Sequence, residues 1–295
     1  MKVLVYGAGI LGSLYSARLH EAGHEVSLVA RGARLAALRE HGVQLAEGES
    51  TVIRSVAVPV TERAMGRYDV TLVIVRSHHV EGVLESIADL SRGDGDSGDV
   101  LFLLNWAGGL QPLAAKIGAE RVLLGFANAG GTMHEDVVRY RPSTPLTRFV
   151  AMPIGEPGGG TTERVERVVQ LFRSVGFRAK PERQMDAWLK THAAFEVPLS
   201  QAVHEAGGLE ALARHPDALR SMIKQMRLTL TGLASRPVPR AFSALIVVPE
   251  WMLVRVFRRF LRSSAASPLA STSPAVFAEV EFLAEQLRAS AGRAS

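Results

Sequence analysis

At 295 residues, with 47% hydrophobic and 21% charged side chains, the chain is long enough for two cores and too apolar to be disordered. It has no cysteine, which excludes disulfides, thiolate catalysis and metal-thiolate sites. The formal charge of +5 suits acidic small molecules, but the basic residues are scattered and no aromatic-interleaved basic motif appears, so nucleic acid is not an expected partner.

KVLVY, residues 2–6, is a short β-branched and apolar run of the kind buried on both faces of a parallel sheet. A helix is predicted over 11–21, closing at Ala22-Gly23, and a second strand over 25–30. Strand, glycine turn, helix and strand in this order make a βαβ unit with a right-handed crossover. The alternation continues with a short helix over 34–40, one or two strands within 52–60, and a buried strand in YDVTLVIVR ending at Arg76. A helix over 80–90 follows, then a polar loop over 91–99, a strand ending at Asn105, a helix over 110–118, and strands in RVLLGFA and RFVAMPIGEP. Residues 161–176 read as a helix and 177–180 as a short extended piece. From Met185 onward every periodic stretch is helical, LIVV alone being ambiguous.

The expected fold class is therefore α/β: an N-terminal Rossmann-like doubly wound sheet over residues 1–170, followed by an all-helical C-terminal domain over 171–295. The first residues enter a strand pattern directly, so no signal peptide is expected. The apolar stretch 241–254, AFSALIVVPEWMLV, is broken by Pro249 and Glu250 and falls short of the roughly 20 residues a bilayer requires. A cytoplasmic protein without stable membrane insertion is the expectation.

GAGILG places Gly7, Gly9 and Gly12 in the G-x-G-x-x-G spacing, between a buried strand and a helix start, which is the context the dinucleotide fingerprint requires. Gly7 allows the tight turn, Gly9 lets the backbone approach a pyrophosphate, and Gly12 lets helix and strand pack closely. The helix start at Ile10 and Leu11 then offers free N–H groups and a dipole to the anion. Ala30 stands where an NAD site carries Asp or Glu for the ribose hydroxyl. Arg31 follows, with Arg34 one turn further on; guanidinium groups there suit a 2′-phosphate and favour NADP(H), the alternative being solvated helix-start residues.

With AGHEVSLVARG after the glycines, the N-terminal block resembles the ketopantoate reductase (2-dehydropantoate 2-reductase) family. VIVRSHHVEGVL resembles the family's segment after the third core strand, with Arg76 where a Lys is common and His79 where a Gln is common. LFLLNWAGGLQPL resembles its strand ending in Asn-Gly, with Asn105 at the Asn and Trp106-Ala107 replacing the Gly. IGEPGGG resembles its domain junction, and DAWLKTHAAFEVPL the Trp-x-Lys start of its long helix, with Lys190 at the catalytic Lys. SPLASTSPAVFAEVEFL puts Ser267 and Glu279 at the spacing of its substrate-binding Ser and Glu, with Glu281 an alternative counterpart.

The resemblance implies NADPH-dependent hydride transfer to the carbonyl of a 2-keto acid held between two domains. Lys190 would serve the carbonyl oxygen, Glu279 would accept from a substrate hydroxyl, and Arg76 would contact cofactor. Asn105 would bind nicotinamide or substrate, with a turn-forming role as the alternative; Ser267 would contact substrate or cap a helix. The family's helix asparagines are absent: Ala194 and Val197 or Pro198 occupy their places. That departure keeps two other readings open, a reductase of an imine or bulkier carbonyl, and a non-catalytic NADP-binding module. His192 points to a different helix face from Lys190 and is kept as a minor candidate for an acid or substrate contact. His78-His79 lacks a third ligand and the chain has no cysteine, so no metal is expected. Arg255, Arg258, Arg259 and Arg262 recur opposite Leu253, Val254, Phe257, Phe260 and Leu261. The basic side reads as a solvated face or an anionic-membrane contact, and the apolar side as a substrate pocket or a homodimer seam.

Overall fold

A computed structural model describes residues 1–90, 98–141, 151–269 and 273–291. The first unit comprises Met1–Leu104 and Leu110–Met185. It opens with β1 (Lys2–Tyr6), α1 (Ile10–Glu21), β2 (Glu25–Val29), α2 (Gly32–His41), β3 (Val43–Glu47), β4 (Arg54–Val56), β5 (Val60–Thr61) and β6 (Val70–Val73). It continues with α3 (Glu81–Asp89), β7 (Asp99–Leu103), α4 (Gln111–Ile117), β8 (Val122–Gly125), β9 (Gly131–His134), β10 (Val137–Tyr140), β11 (Met152–Gly155), α5 (Glu163–Ser174) and β12 (Ala179–Pro181).

The main sheet runs β12-β11-β8-β7-β6-β1-β2-β5, parallel except where β11 meets β8. β1 lies between β2 and β6, with Val3 opposite Val26 and Val70. Val3, Leu4 and Val5 are fully buried, which is why this strand reads as a continuous apolar run rather than an alternating one. Tyr15 of α1 packs edge-on against Phe172 and Phe177, with ring centroids 5.4 and 4.7 Å away, closing the core beneath the glycine turn.

A second sheet, β4-β3-β10-β9, is absent from the sequence-based expectation. Its hairpin turns at Glu135 and Asp136, both at positive φ (47° and 64°), so the glycine that usually announces such a turn is missing. β3 pairs parallel with β10 from far along the chain, a partner that local periodicity cannot show.

The first unit extends to Met185, beyond the boundary expected at residue 170, because α5 and β12 pack onto the main sheet. α5 is also tied in by charge. Arg164 donates to Glu156 (Nε to Oε1, 2.8 Å) and to Asp99 of β7 (3.2 Å), and Arg167 donates to the other Asp99 oxygen (2.8 Å). Burial pulls the Glu156 carboxyl upward, but the hydrogen bonds from Arg164 and Thr162 and the Arg164 charge outweigh it and hold the group below its usual range.

The second unit comprises Asn105–Gly109 and Asp186–Ser295. Its helices are α6 (Met185–Ala206), α7 (Leu209–Arg214), α8 (Pro216–Thr231), α9 (Ala244–Val247), α10 (Glu250–Leu261) and α11 (Pro274–Ala291). Among the described residues it contains no strand; the ambiguous LIVV segment is α9 and its exit. Leu199, Val203, Leu212, Met222, Phe257 and Leu261 centre its core. The apolar side of α10 is thereby consumed inside the unit. Its outer face is not purely basic, because Trp251, Met252 and Val256 are exposed there beside Arg255, whose guanidinium lies 5.0 Å from the Trp251 ring. Among the described residues no helix is long and apolar enough to cross a membrane.

Candidate functional site

In the first unit, the candidate site is the turn from β1 into α1. A side chain on Gly7 (φ +105°) would put its Cβ 2.1 Å from the Ile74 carbonyl oxygen, and one on Gly12 would sit 1.8 Å from the Gly7 carbonyl. Both glycines are demanded by the protein's own backbone. Gly9 differs: a Cβ there meets nothing within 4 Å, and its φ of −77° is open to any residue. Its missing side chain leaves room on the exposed side of the turn. Gly9 caps α1, whose first intrahelical bond runs from Ser13 N–H to the Gly9 carbonyl (2.9 Å), so the amides of Ile10, Leu11 and Gly12 precede the ladder. This donor set and this clearance fit the pyrophosphate of a dinucleotide.

At the end of β2, Ala30 is buried and Arg31, the N-cap of α2, is exposed. Burial raises the phenol pKa of Tyr6 at the end of β1; a hydrogen bond with Ser86 (2.8 Å) and the nearby Arg31 charge oppose it. Arg34, expected beside Arg31 at a 2′-phosphate, is already bonded within the protein. Nε donates to the Ala8 carbonyl (3.1 Å), Nη2 to Ser13 Oγ (3.0 Å), and Nη1 to Asp136 Oδ1 (2.8 Å). Arg76 is half-buried at the N-cap of a 3-10 turn, Ser77–His79, that follows β6.

In the helical unit, a separate set of candidate residues is found by itself. Lys190 is on α6 with its side chain 23% exposed, and its Nζ donates to Asp186 Oδ2 one turn earlier at 2.6 Å. The loop that begins with half-buried Asn105 reaches this lysine at Gly109 (φ +76°), where an added Cβ would lie 4.0 Å from Lys190 Nζ. α11 holds the loop from the other side. Gln286 Oε1 accepts from the Ala107 N–H (2.9 Å), Ser290 Oγ donates to the Ala107 carbonyl (2.8 Å), and Trp106 tilts against Phe282.

Glu279 is half-buried and shares a helical face with Leu283, Gln286 and Ser290, the face turned to this loop; Glu281 points the other way and is exposed. Of the two candidate carboxylates, position 279 is the one on the loop side. Ser267 lies in the 3-10 turn Ser264–Leu269, and its side chain falls outside the described residues. His192 does face away from Lys190: it pairs with Glu196 (2.8 Å) and stacks on Trp188.

The family model for ketopantoate reductase PanE/ApbA matches residues 3–144. Residues 3–144 are thus similar to the ketopantoate reductase family. A 2-dehydropantoate 2-reductase of Mesorhizobium japonicum is 27% identical over 216 residues, which cover 64% of this chain and 63% of that relative. The match therefore spans somewhat less than two thirds of the relative's length. A crystal structure of a putative ketopantoate reductase from Ralstonia solanacearum MolK2 has a TM-score of 0.69 at 20% identity, covering 98% of both chains. The ternary structure of D-mandelate dehydrogenase with NADH and anilino(oxo)acetate has a TM-score of 0.67 at 16% identity, covering 100% of this chain and 99% of that one. At such identities the structural likeness establishes the fold alone, an α/β unit of Rossmann type followed by helices.

Sequence reasoning missed Asp186, Gly109, Gln286 and Ser290. The i,i+4 spacing of Asp186 and Lys190 was the one available signal. Nothing local marks Gln286, whose partner Ala107 is 179 positions away.

Proposed function

We propose that the protein is an NADPH-dependent reductase acting on the carbonyl of a 2-keto acid. The observation that carries the reading is Gly9, the fingerprint glycine whose bare flank serves no protein neighbour, at a helix start with free amides. In this reading Gly9 admits the pyrophosphate, and the Ile10, Leu11 and Gly12 amides hold its charge. Exposed Arg31, with no carboxylate at Ala30, pairs with the 2′-phosphate and selects NADPH over NADH. The nicotinamide, when bound, supplies the hydride.

Lys190 donates a hydrogen bond to the substrate carbonyl oxygen and gives it a proton as negative charge develops there. Asp186 holds that ammonium in one direction, and Gly109 keeps the space beside it clear of a side chain. Asn105 contributes an amide at the start of the same loop and Glu279 a carboxylate from the loop side of α11, while Ser267 is the further substrate contact that the resemblance implies. The substrate enters as a free small molecule, and the place of action is the cytoplasm.

Ala194 is fully buried, and buried Val197 or Pro198 within α6 takes the other place where the family resemblance implies an asparagine. The site thus lacks two amides, which favours a carbonyl compound with fewer hydroxyls than ketopantoate.

The test is NADPH oxidation against a panel of 2-keto acids including ketopantoate, for wild type and Lys190→Ala. A loss of kcat/KM of about a hundredfold or more in the variant supports the reading. NADPH binding without turnover of any keto acid by wild type removes this substrate class, leaving imine reduction or a binding-only role.

A further inference from the structure

We propose that Arg34 and Asp136 form a positioning pair that aims the glycine-rich turn at the dinucleotide pyrophosphate, with Arg34 itself making no contact to the 2′-phosphate. The inference rests on the nucleotide reading above.

The guanidinium, 17% exposed, spends each of its nitrogens on the protein. Nε and Nη2 reach Ala8 and Ser13, while Nη1 donates to both the backbone carbonyl (3.0 Å) and the carboxylate (2.8 Å) of Asp136. Ser13 Oγ also donates to the Ala8 carbonyl (3.2 Å), so this one carbonyl oxygen is held by two donors. Ala8 is the residue between Gly7 and Gly9. Because a trans peptide is planar, fixing the Ala8 carbonyl in one direction points the Gly9 N–H in the opposite direction. The Arg34 clamp therefore sets the orientation of an amide on the open side of the turn, where glycine leaves room for an anion.

The other end of the clamp is built with some strain. Glu135 and Asp136 both adopt left-handed backbone conformations that non-glycine residues take at a cost. That conformation puts the Asp136 carbonyl and carboxylate onto the same guanidinium nitrogen. Strained backbone that persists is over-determined by its surroundings and points to a task. The hairpin bearing this turn also packs on α1, where Arg18 donates to the Tyr140 hydroxyl of β10 (3.2 Å). The second sheet thus braces both the glycine turn and the helix that follows it.

The reading separates two arginines three residues apart. Arg31→Ala weakens NADPH and spares NADH, because only NADPH carries the 2′-phosphate. Arg34→Ala and Asp136→Gly weaken both cofactors by the same factor, about tenfold, the equivalent of one charge-assisted hydrogen bond. Glycine at 136 keeps the positive φ while removing the carboxylate, so it tests the contact without breaking the turn. Arg34→Lys restores only part of the affinity, since a point charge cannot span four acceptors.

The experiment is titration of NADPH and NADH into each full-length protein, with melting temperatures measured without cofactor. Equal losses for both cofactors in proteins that melt near wild type support the pair. An NADPH-selective loss in Arg34→Ala overturns it and makes Arg34 a phosphate ligand. Lower melting temperatures with unchanged affinities also overturn it, leaving a structural clamp only. Failure of wild type to bind either cofactor removes the nucleotide reading, and the pair with it. If Arg34→Ala does not fold, Asp136→Gly decides the same comparison.

Discussion

Adding one methyl group at Gly9 and one at Gly12 separates the glycine kept for a ligand from the glycine kept for the fold. At Gly9 the new Cβ meets nothing within 4 Å, and the backbone angles of −77° and −164° suit alanine. Alanine is a poorer N-cap than glycine by several tenths of a kcal/mol. It recovers about 0.4–1 kcal/mol by restricting the unfolded chain. The two nearly cancel, so Gly9→Ala is expected to melt within about 2 °C of wild type. At Gly12 the Cβ falls 1.8 Å from the Gly7 carbonyl oxygen and 3.0 Å from its carbon, both backbone atoms that cannot swing away. Such overpacking costs about 1–3 kcal/mol or more and lowers the melting temperature by several degrees. Cofactor affinity runs the other way round in informativeness. A methyl on the open flank of Gly9 lifts a pyrophosphate off the helix amides, at about 1.5–3 kcal/mol for a charge-assisted hydrogen bond, or roughly tenfold to a hundredfold in Kd. Melting curves without cofactor and NADPH titrations on the two variants provide the assay. A well-folded Gly9→Ala protein that binds NADPH as tightly as wild type refutes the reasoning.

Two further outcomes follow from the contacts. Because the Glu156 carboxyl is held below its ordinary value near 4.5, its stabilisation is complete above that pH and fades as pH falls through the lower folded value. The urea midpoint of wild type should drop below about pH 4.5, less so in Glu156→Gln, while Arg164→Ala at pH 7 should cost about 3 kcal/mol by stranding Glu156 and leaving Asp99 to Arg167 alone; a cost under about 1 kcal/mol marks a solvated pair. Gln286→Ala removes the acceptor from the buried Ala107 N–H, at about 1–3 kcal/mol, and should lower both the melting temperature and turnover by loosening the loop beside Lys190, whereas an unchanged melting curve shows that another acceptor takes over.

The parts of this protein written in neighbouring residues were legible without coordinates. An apolar strand, a glycine turn and a helix start lie within residues 2–21, so the βαβ entry, the roles of Gly7 and Gly12, and the absence of strands among the described residues after Met185 follow from local pattern. Lys190 was singled out from a short motif resembling a family's, and the helix expected there is present. The parts that depend on distant partners were not legible. The hairpin of the second sheet turns without glycine, and β3 finds its partner across the chain in β10. Arg34 looks like a phosphate ligand in sequence because its neighbours there are Arg31 and a helix start. In the folded unit its neighbour is Asp136, 102 positions away. The choice between Glu279 and Glu281 likewise rested on which face of α11 carries Gln286 and Ser290 to the Ala107 backbone. Sequence alone determined the local conformations and the kinds of group available, because φ, ψ and side-chain chemistry are properties of a few adjacent residues. Tertiary structure alone decided which of those groups are already spent on the protein and which are left for a ligand, because hydrogen-bond capacity is allotted only when distant segments meet.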